Sequence, residues 1–245
     1  MVNSSRVHLH NFNKAFASKV PAGSLVLDAG AGIAPYRDLF RHARYESADF
    51  ELVDKAYAKT TYVCDLTAIP VEDERFDFVI FNQALEHVPE PHEVLRELHR
   101  VLKPGGKMIC SAPLFYEEHE QPYDFYRYTQ FAFRHLCTKT GFTIESIDWL
   151  EGYLGTVAYQ LKTSAKYLPV RPRDVYPGWF GFVLSPVFGG LKVTFALLAA
   201  ALYRIDARAP YKKNGFPKNY VVIAVKEQAS AERKAGDVPS YQQAS

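Results

Sequence analysis

Residues 24–150 alternate short apolar runs with stretches of helical spacing, and this alternation constrains the fold more than any other feature. SLVLDAG (24–30), YESAD (45–49), YVCDL (62–66), RFDFVIFNQ (75–83), KMICSAP (107–113) and FTIESIDWL (142–150) read as strands. NYVVIAVK (219–226) supplies a seventh. Between them, residues 35–42 are predicted as a helix opened by Pro35. A second helix starts at Pro91, with Val94, Leu95, Leu98, Val101 and Leu102 on one face and Pro104-Gly105-Gly106 as its stop. A third covers 129–140, with Thr129 as N-cap and Gly141 beyond its end. Such a pattern implies an α/β fold with a doubly wound, mostly parallel seven-stranded sheet.

Ligands of such sheets bind beyond the carboxyl ends of the strands. After the first strand stand Asp28, Gly30, Gly32 and Ala34, small residues that let a ligand approach the backbone. The spacing is not GxGxxG, which argues against a dinucleotide site and so against a nicotinamide dehydrogenase. Asp49, at the next strand end, is placed to accept from both hydroxyls of a ribose. Asp65 can accept from an adenine amino group, with Leu66 packed on the ring. Asn82 to His87 follow the fourth strand.

The runs LVLDAGAGIAPYRDLF, CDLTAIPVEDERFDFVIFNQALEHVPEP and HEVLRELHRVLKPGGKMICSAP, with Asp49 between the first two, resemble the class I S-adenosylmethionine-dependent methyltransferases in order and spacing. The resemblance covers about residues 20–150 and the last strand. It implies a Rossmann-like methyltransferase fold and S-adenosylmethionine as cofactor. It places Asp28, Gly30 and Gly32 beside the methionine end, Asp49 on the ribose, Asp65 and Leu66 on the adenine, and Asn82 and Ala84 near the sulfonium. Ala34 departs from the family, where a third glycine often stands.

His87 and His119 are the candidate catalytic bases, each set against a purely structural role. His119 lies in PLFYEEHEQPYDFYRYT (113–129), a polar and aromatic loop expected to meet substrate through Tyr123, Asp124, Arg127 and Tyr128. Asp124 and Arg127 could equally form a local ion pair. The loop resembles a subgroup associated with glycan or cell-envelope modification. That resemblance implies O-methylation of a saccharide or lipid-linked glycan. The alternative is a carbon or nitrogen acceptor on a lipid, quinone-like or other small molecule, and a third reading is a non-catalytic cofactor-binding protein. No metal-ligand constellation stands out in the sequence, and Cys64, Cys110 and Cys137 are too far apart for a CxxC motif. Buried thiols and a reducing compartment fit them better.

The net charge of +2 hides a split. Residues 1–150 carry 16 Lys and Arg against 21 Asp and Glu, whereas 151–218 carry 10 against 3. The chain therefore divides into a cofactor-binding domain (1–150 with 219–226), a helical, basic and apolar insertion (151–218) and a polar tail (227–245) expected to be disordered. Within the insertion a helix is predicted over 152–168. The run 179–204 is expected to break at Pro186, Gly189-Gly190 and Lys192, leaving Val193 to Tyr203 as its cleanest helical piece. Three roles are open for the insertion: a cap over the acceptor, a peripheral membrane contact, or a homodimer interface. The near-neutral total argues against nucleic acid as a partner. The N-terminus has no apolar core of signal type, so the expected location is cytoplasmic or at the inner face of a membrane.

Overall fold

The computed structural model describes residues 3–228, so the expected tail lies outside the described residues from 229 onward. Seven strands, β1 (Leu25–Ala29), β2 (Arg44–Asp49), β3 (Tyr62–Val63), β4 (Phe76–Asn82), β5 (Leu102–Pro113), β6 (Phe142–Trp149) and β7 (Asn219–Lys226), form one sheet in the order β3-β2-β1-β4-β5-β7-β6. β1 to β5 pair in parallel, while β7 runs antiparallel to both β5 and β6. The chain winds outward from β1 to β3, then returns to place β4 on the other side of β1. The carboxyl ends of β1 and β4 thus flank the switch point, where such sheets open a crevice.

The sheet is buried on both faces, and the period of two sorts its side chains. Val26, Ile80 and Ile109 pack against Leu9 and Phe16 of α1 (Ser4–Ala17). Leu27, Val79, Phe81 and Met108 pack with Leu95 and Leu98 of α2 (Pro91–Val101) and Phe133 of α3 (Gln130–Lys139). Thr129 caps α3 as expected, accepting from the Ala132 amide at 3.1 Å. Gly141, with φ +87°, turns the chain into β6. Cys110 and Cys137 are buried free thiols, whereas Cys64 is only half-buried.

Four expectations change. The 35–42 segment is only a short 3-10 turn, Arg37–Phe40, in which Phe40 is the one buried side chain. α2 ends at Val101, because Leu102 already pairs with Phe76 and opens β5. Pro104-Gly105-Gly106 therefore lies in an irregular strand entry, with Gly105 at φ +81°. α1 has no counterpart in the sequence reading.

The insertion holds α4 (Tyr153–Tyr167), the short α5 (Pro172–Val175) and α6 (Phe180–Arg208). α6 runs unbroken for 29 residues through Pro186, Gly189, Gly190 and Lys192. An interior proline costs about 3 kcal/mol and each glycine about 1 kcal/mol. Anchorage at the far end offsets that loss, because Ala199, Tyr203 and Asp206 are buried and Tyr203 packs on Ala158 and Tyr159 of α4.

Candidate active site

The turn after β1 is built for close approach. Gly30 has φ +68° and Gly32 has φ +53°. A Cβ on Gly30 would lie 2.5 Å from the Ala84 Cβ, so the turns after β1 and β4 touch only because position 30 is glycine. A Cβ on Gly32 would project into open space, next to a cavity of about 430 Å3 lined by Asp28, Gly30, Tyr36 and Asn82. A second cavity of about 380 Å3 lies beside it, lined by Asp49, Asp65, Leu66, Ala84 and His87. Gly30, Lys55, Gln83 and Glu120 line both, and Lys55 and Glu120 pair at 2.7 Å. The two cavities form one trough across the switch point.

The acidic strand ends keep specific acceptor capacity. Asp49 accepts the Gly32 amide at 2.8 Å and the Glu51 amide at 3.2 Å, one on each oxygen. A carboxylate offers about four lone-pair sites, so about two remain for a vicinal diol. Asp65 accepts the amide and the hydroxyl of Thr67, both at 2.8 Å and both on Oδ1. Its other oxygen is left for an amino group at the trough wall, beside Leu66. Asp28 is buried and bonded to the Tyr45 hydroxyl. Burial pushes its carboxyl up to about 7, against the lowering effect of that hydrogen bond.

A family model described as a methyltransferase domain matches residues 6–153. The chain belongs to that family. It is a class I S-adenosylmethionine-dependent methyltransferase. The demethylmenaquinone methyltransferase of Geobacillus sp. (strain WCH70) is 35% identical over 86 residues, 34% of this chain and 36% of the relative. The chain thus spans about a third of the length of that relative. Among solved structures, the cyclase SpnF aligns with a TM-score of 0.56 at 17% identity, covering 90% of this chain and 82% of the other. Phosphoethanolamine N-methyltransferase 2 of Haemonchus contortus aligns with a TM-score of 0.53 at 17% identity, covering 89% and 53%. At those identities only the fold is shared, and a cyclase among the neighbours illustrates how little the fold fixes the chemistry.

The trough fits the cofactor of this methyltransferase. Asp49, Asp65 and the bare Gly30–Gly32 backbone all line it, acceptors that could take a diol and an amino group beside a backbone open to close approach. Asn82 donates to Asn13 and accepts from Ser111, both at 2.9 Å, so its side chain is a fixed wall. Beyond it a chamber of about 280 Å3 is lined by Arg6, Tyr36, Gln83, Tyr116, His119 and Lys218, among others. Gln83, at φ +52°, lines the chamber and both halves of the trough, so the chamber adjoins the trough.

The histidines sit on this boundary. His87 donates from Nδ1 to the Tyr123 carbonyl at 2.6 Å, and burial lowers its pKa. Its ring meets that of His119 edge to face, with centroids 4.7 Å apart. His87 lines the trough and His119 the chamber. Glu86 is 1% exposed, and burial pushes its carboxyl up to about 8.

The expected acceptor contacts are redistributed. Tyr128 is 4% exposed and donates to the Leu85 carbonyl at 3.0 Å, so it is a core residue. Tyr123 packs on Phe50 and lines the cofactor trough instead of the chamber. Asp124 and Arg127 form a two-pronged pair at 2.7 and 2.8 Å, which holds the Asp124 carboxyl well below the usual carboxylate range. Asp124 also accepts the His119 amide at 2.8 Å, so the pair braces the loop that carries His119. Arg6, Tyr36, Lys55 and Glu120 were not singled out from sequence. Only the fold brings the N-terminal helix and the 50–60 loop to the trough.

Proposed function

We propose that this methyltransferase transfers its methyl group to a lipid-borne, quinone-like acceptor at an anionic membrane surface. The observation that carries the reading is the exposed apolar half of α6. Trp179, Phe182, Val183, Val187, Val193 and Leu197 are each more than half exposed. α6 is long and apolar enough to cross a membrane. A single crossing is excluded by topology, because β7 follows α6 and rejoins the sheet that precedes it. A helix of this kind lies in the interface, its apolar side in the lipid. The charge agrees. Of the three acidic residues in 151–218, Glu151 and Asp206 are buried, so Asp174 alone opposes a surface rich in Lys and Arg.

The acceptor chamber adjoins the insertion that carries this surface. Tyr116 lines the chamber and stacks on Tyr159 of α4, with centroids 5.1 Å apart. Tyr116 and Lys218 also line a neighbouring cavity of about 260 Å3, together with Tyr159, Lys162 and Tyr203 of the insertion. An aromatic headgroup held against the insertion would reach the chamber past Tyr116, which lines both cavities. The name of the Geobacillus relative supports a quinone acceptor, whereas none of the relatives described above supports the glycan expectation.

S-adenosylmethionine bound in the trough supplies an electrophilic methyl. The chain's work is to align the acceptor with it and keep water out. His119, on the chamber wall, is placed to take the proton that the acceptor loses. Incubation with labelled cofactor and extracted membrane lipids tests the reading. Label should enter a quinone-like lipid, and protein should float with anionic vesicles. Label in a polar glycan fraction would overturn the acceptor, and a stable dimer in sedimentation that buries α6 would overturn the membrane contact.

A further inference from the structure

We propose that Glu86, His87 and His119 form a binding site for a divalent transition-metal ion of the zinc class. One donor atom from each lies within 4.8 Å of the other two. The first two stand on the turn after β4 and the third on the loop after β5, so the fold assembles a set that the sequence scatters.

Two further observations point to a ligand. Glu86 Oε2 is buried and has no hydrogen-bond partner among the described residues. A buried acceptor left without a partner is costly, and a cation at this spot would relieve that cost. The second observation is the state of the imidazoles. His87 donates Nδ1–H to the Tyr123 carbonyl at 2.6 Å, which leaves Nε2 with its lone pair, 3.9 Å from Glu86 Oε1. His119 Nδ1 lies 3.2 Å from the Glu117 carbonyl and 3.4 Å from Asp124 Oδ2, which leaves its Nε2 likewise. An oxygen acceptor behind the far nitrogen is what orients and polarises metal-bound histidines.

Two imidazoles and one carboxylate suit zinc with an open fourth position. Bonds of about 2.0–2.2 Å place tetrahedral ligands roughly 3.3–3.6 Å apart. Binding would therefore draw the three donors closer than the 4.8 Å within which they now lie. Because His119 lines the chamber, the open position would face the acceptor and hold an acceptor oxygen, easing loss of its proton; with the ion bound, His119 is a ligand and no longer the proton acceptor. That last step rests on the acceptor-chamber assignment, but binding of the ion does not.

The test is calorimetric titration of chelator-treated full-length protein with zinc chloride, backed by cobalt(II) absorption spectra. One ion per chain is expected. Glu86→Gln and His119→Ala should each weaken binding at least about tenfold and change the cobalt spectrum. His92→Ala, a histidine outside the cluster, should not. His119 is on a partly exposed loop, so its variant stays informative if Glu86→Gln fails to fold. No zinc uptake by the parent, or parent-like affinity in both variants, would overturn the site. Zinc binding without lipid labelling would keep the site and sink the proposed acceptor. Lipid labelling by a protein that takes no zinc would do the reverse.

Discussion

Asp49 Oδ2 accepts the Gly32 amide at 2.8 Å, which ties the end of β2 to the turn after β1. One carboxylate thus braces the glycine turn and offers its remaining lone pairs to the trough. Asp49→Ala should weaken S-adenosylmethionine binding by about 1–3 kcal/mol, or roughly 5- to 150-fold in Kd by calorimetry. Asp49→Asn keeps one acceptor oxygen and should fall between the two. Unchanged affinity in Asp49→Ala would rule out the diol assignment.

Asp28 makes stability depend on pH. Its folded pKa of about 7 is above its ordinary value of 3.8, so the folded state binds the proton more tightly. Its stabilising effect is complete below pH 3.8 and is lost as pH rises through about 7. Asp28→Asn removes this dependence. The cofactor-free variant should gain on the parent by about 1–4 kcal/mol between pH 4 and pH 8. Thermal melts across that range check it, and a pH-independent difference would show that Asp28 does not titrate there.

The cofactor half of the site was legible because each residue there follows a strand end in its own local sequence. Asp28, Asp49 and Asp65 close β1, β2 and the β3 segment, so reading the strands located them. The chamber was not legible in this way. His119 reaches His87 only because Asp124 and Arg127 fold the 113–129 loop back, and Tyr128 is drawn into the core by the Leu85 carbonyl. Loop composition marks such a segment as functional without saying which side chains turn inward. Local rules also misjudged α6, where Pro186 and two glycines signal a break that anchorage at Tyr203 and Asp206 overrides.

The exposed half of α6 should govern membrane affinity. Phe182→Glu exchanges a side chain that is 68% exposed for a charge, with little to lose from the core. Vesicle binding should fall about tenfold or more, given about 1.5–3 kcal/mol for a buried phenylalanine. Arg171→Ala and Arg173→Ala should each cost about 1 kcal/mol on anionic vesicles and nothing on neutral ones. Flotation assays with both vesicle types check this, and wild-type binding by Phe182→Glu would remove α6 from the membrane.

Gly30 offers the sharpest test of how the trough is built. Its φ of +68° disfavours any other residue, and a Cβ there meets the Ala84 Cβ at 2.5 Å. Gly30→Ala therefore combines torsional strain with overpacking, together worth about 2–4 kcal/mol of stability. Ala84→Gly removes the opposing methyl. In the double variant the steric part should be recovered and the torsional part, about 1–2 kcal/mol, should remain. Denaturant unfolding of the four proteins measures both parts. If the double variant is no more stable than Gly30→Ala, the contact between the two turns does not restrict position 30. Backbone conformation alone then keeps it glycine.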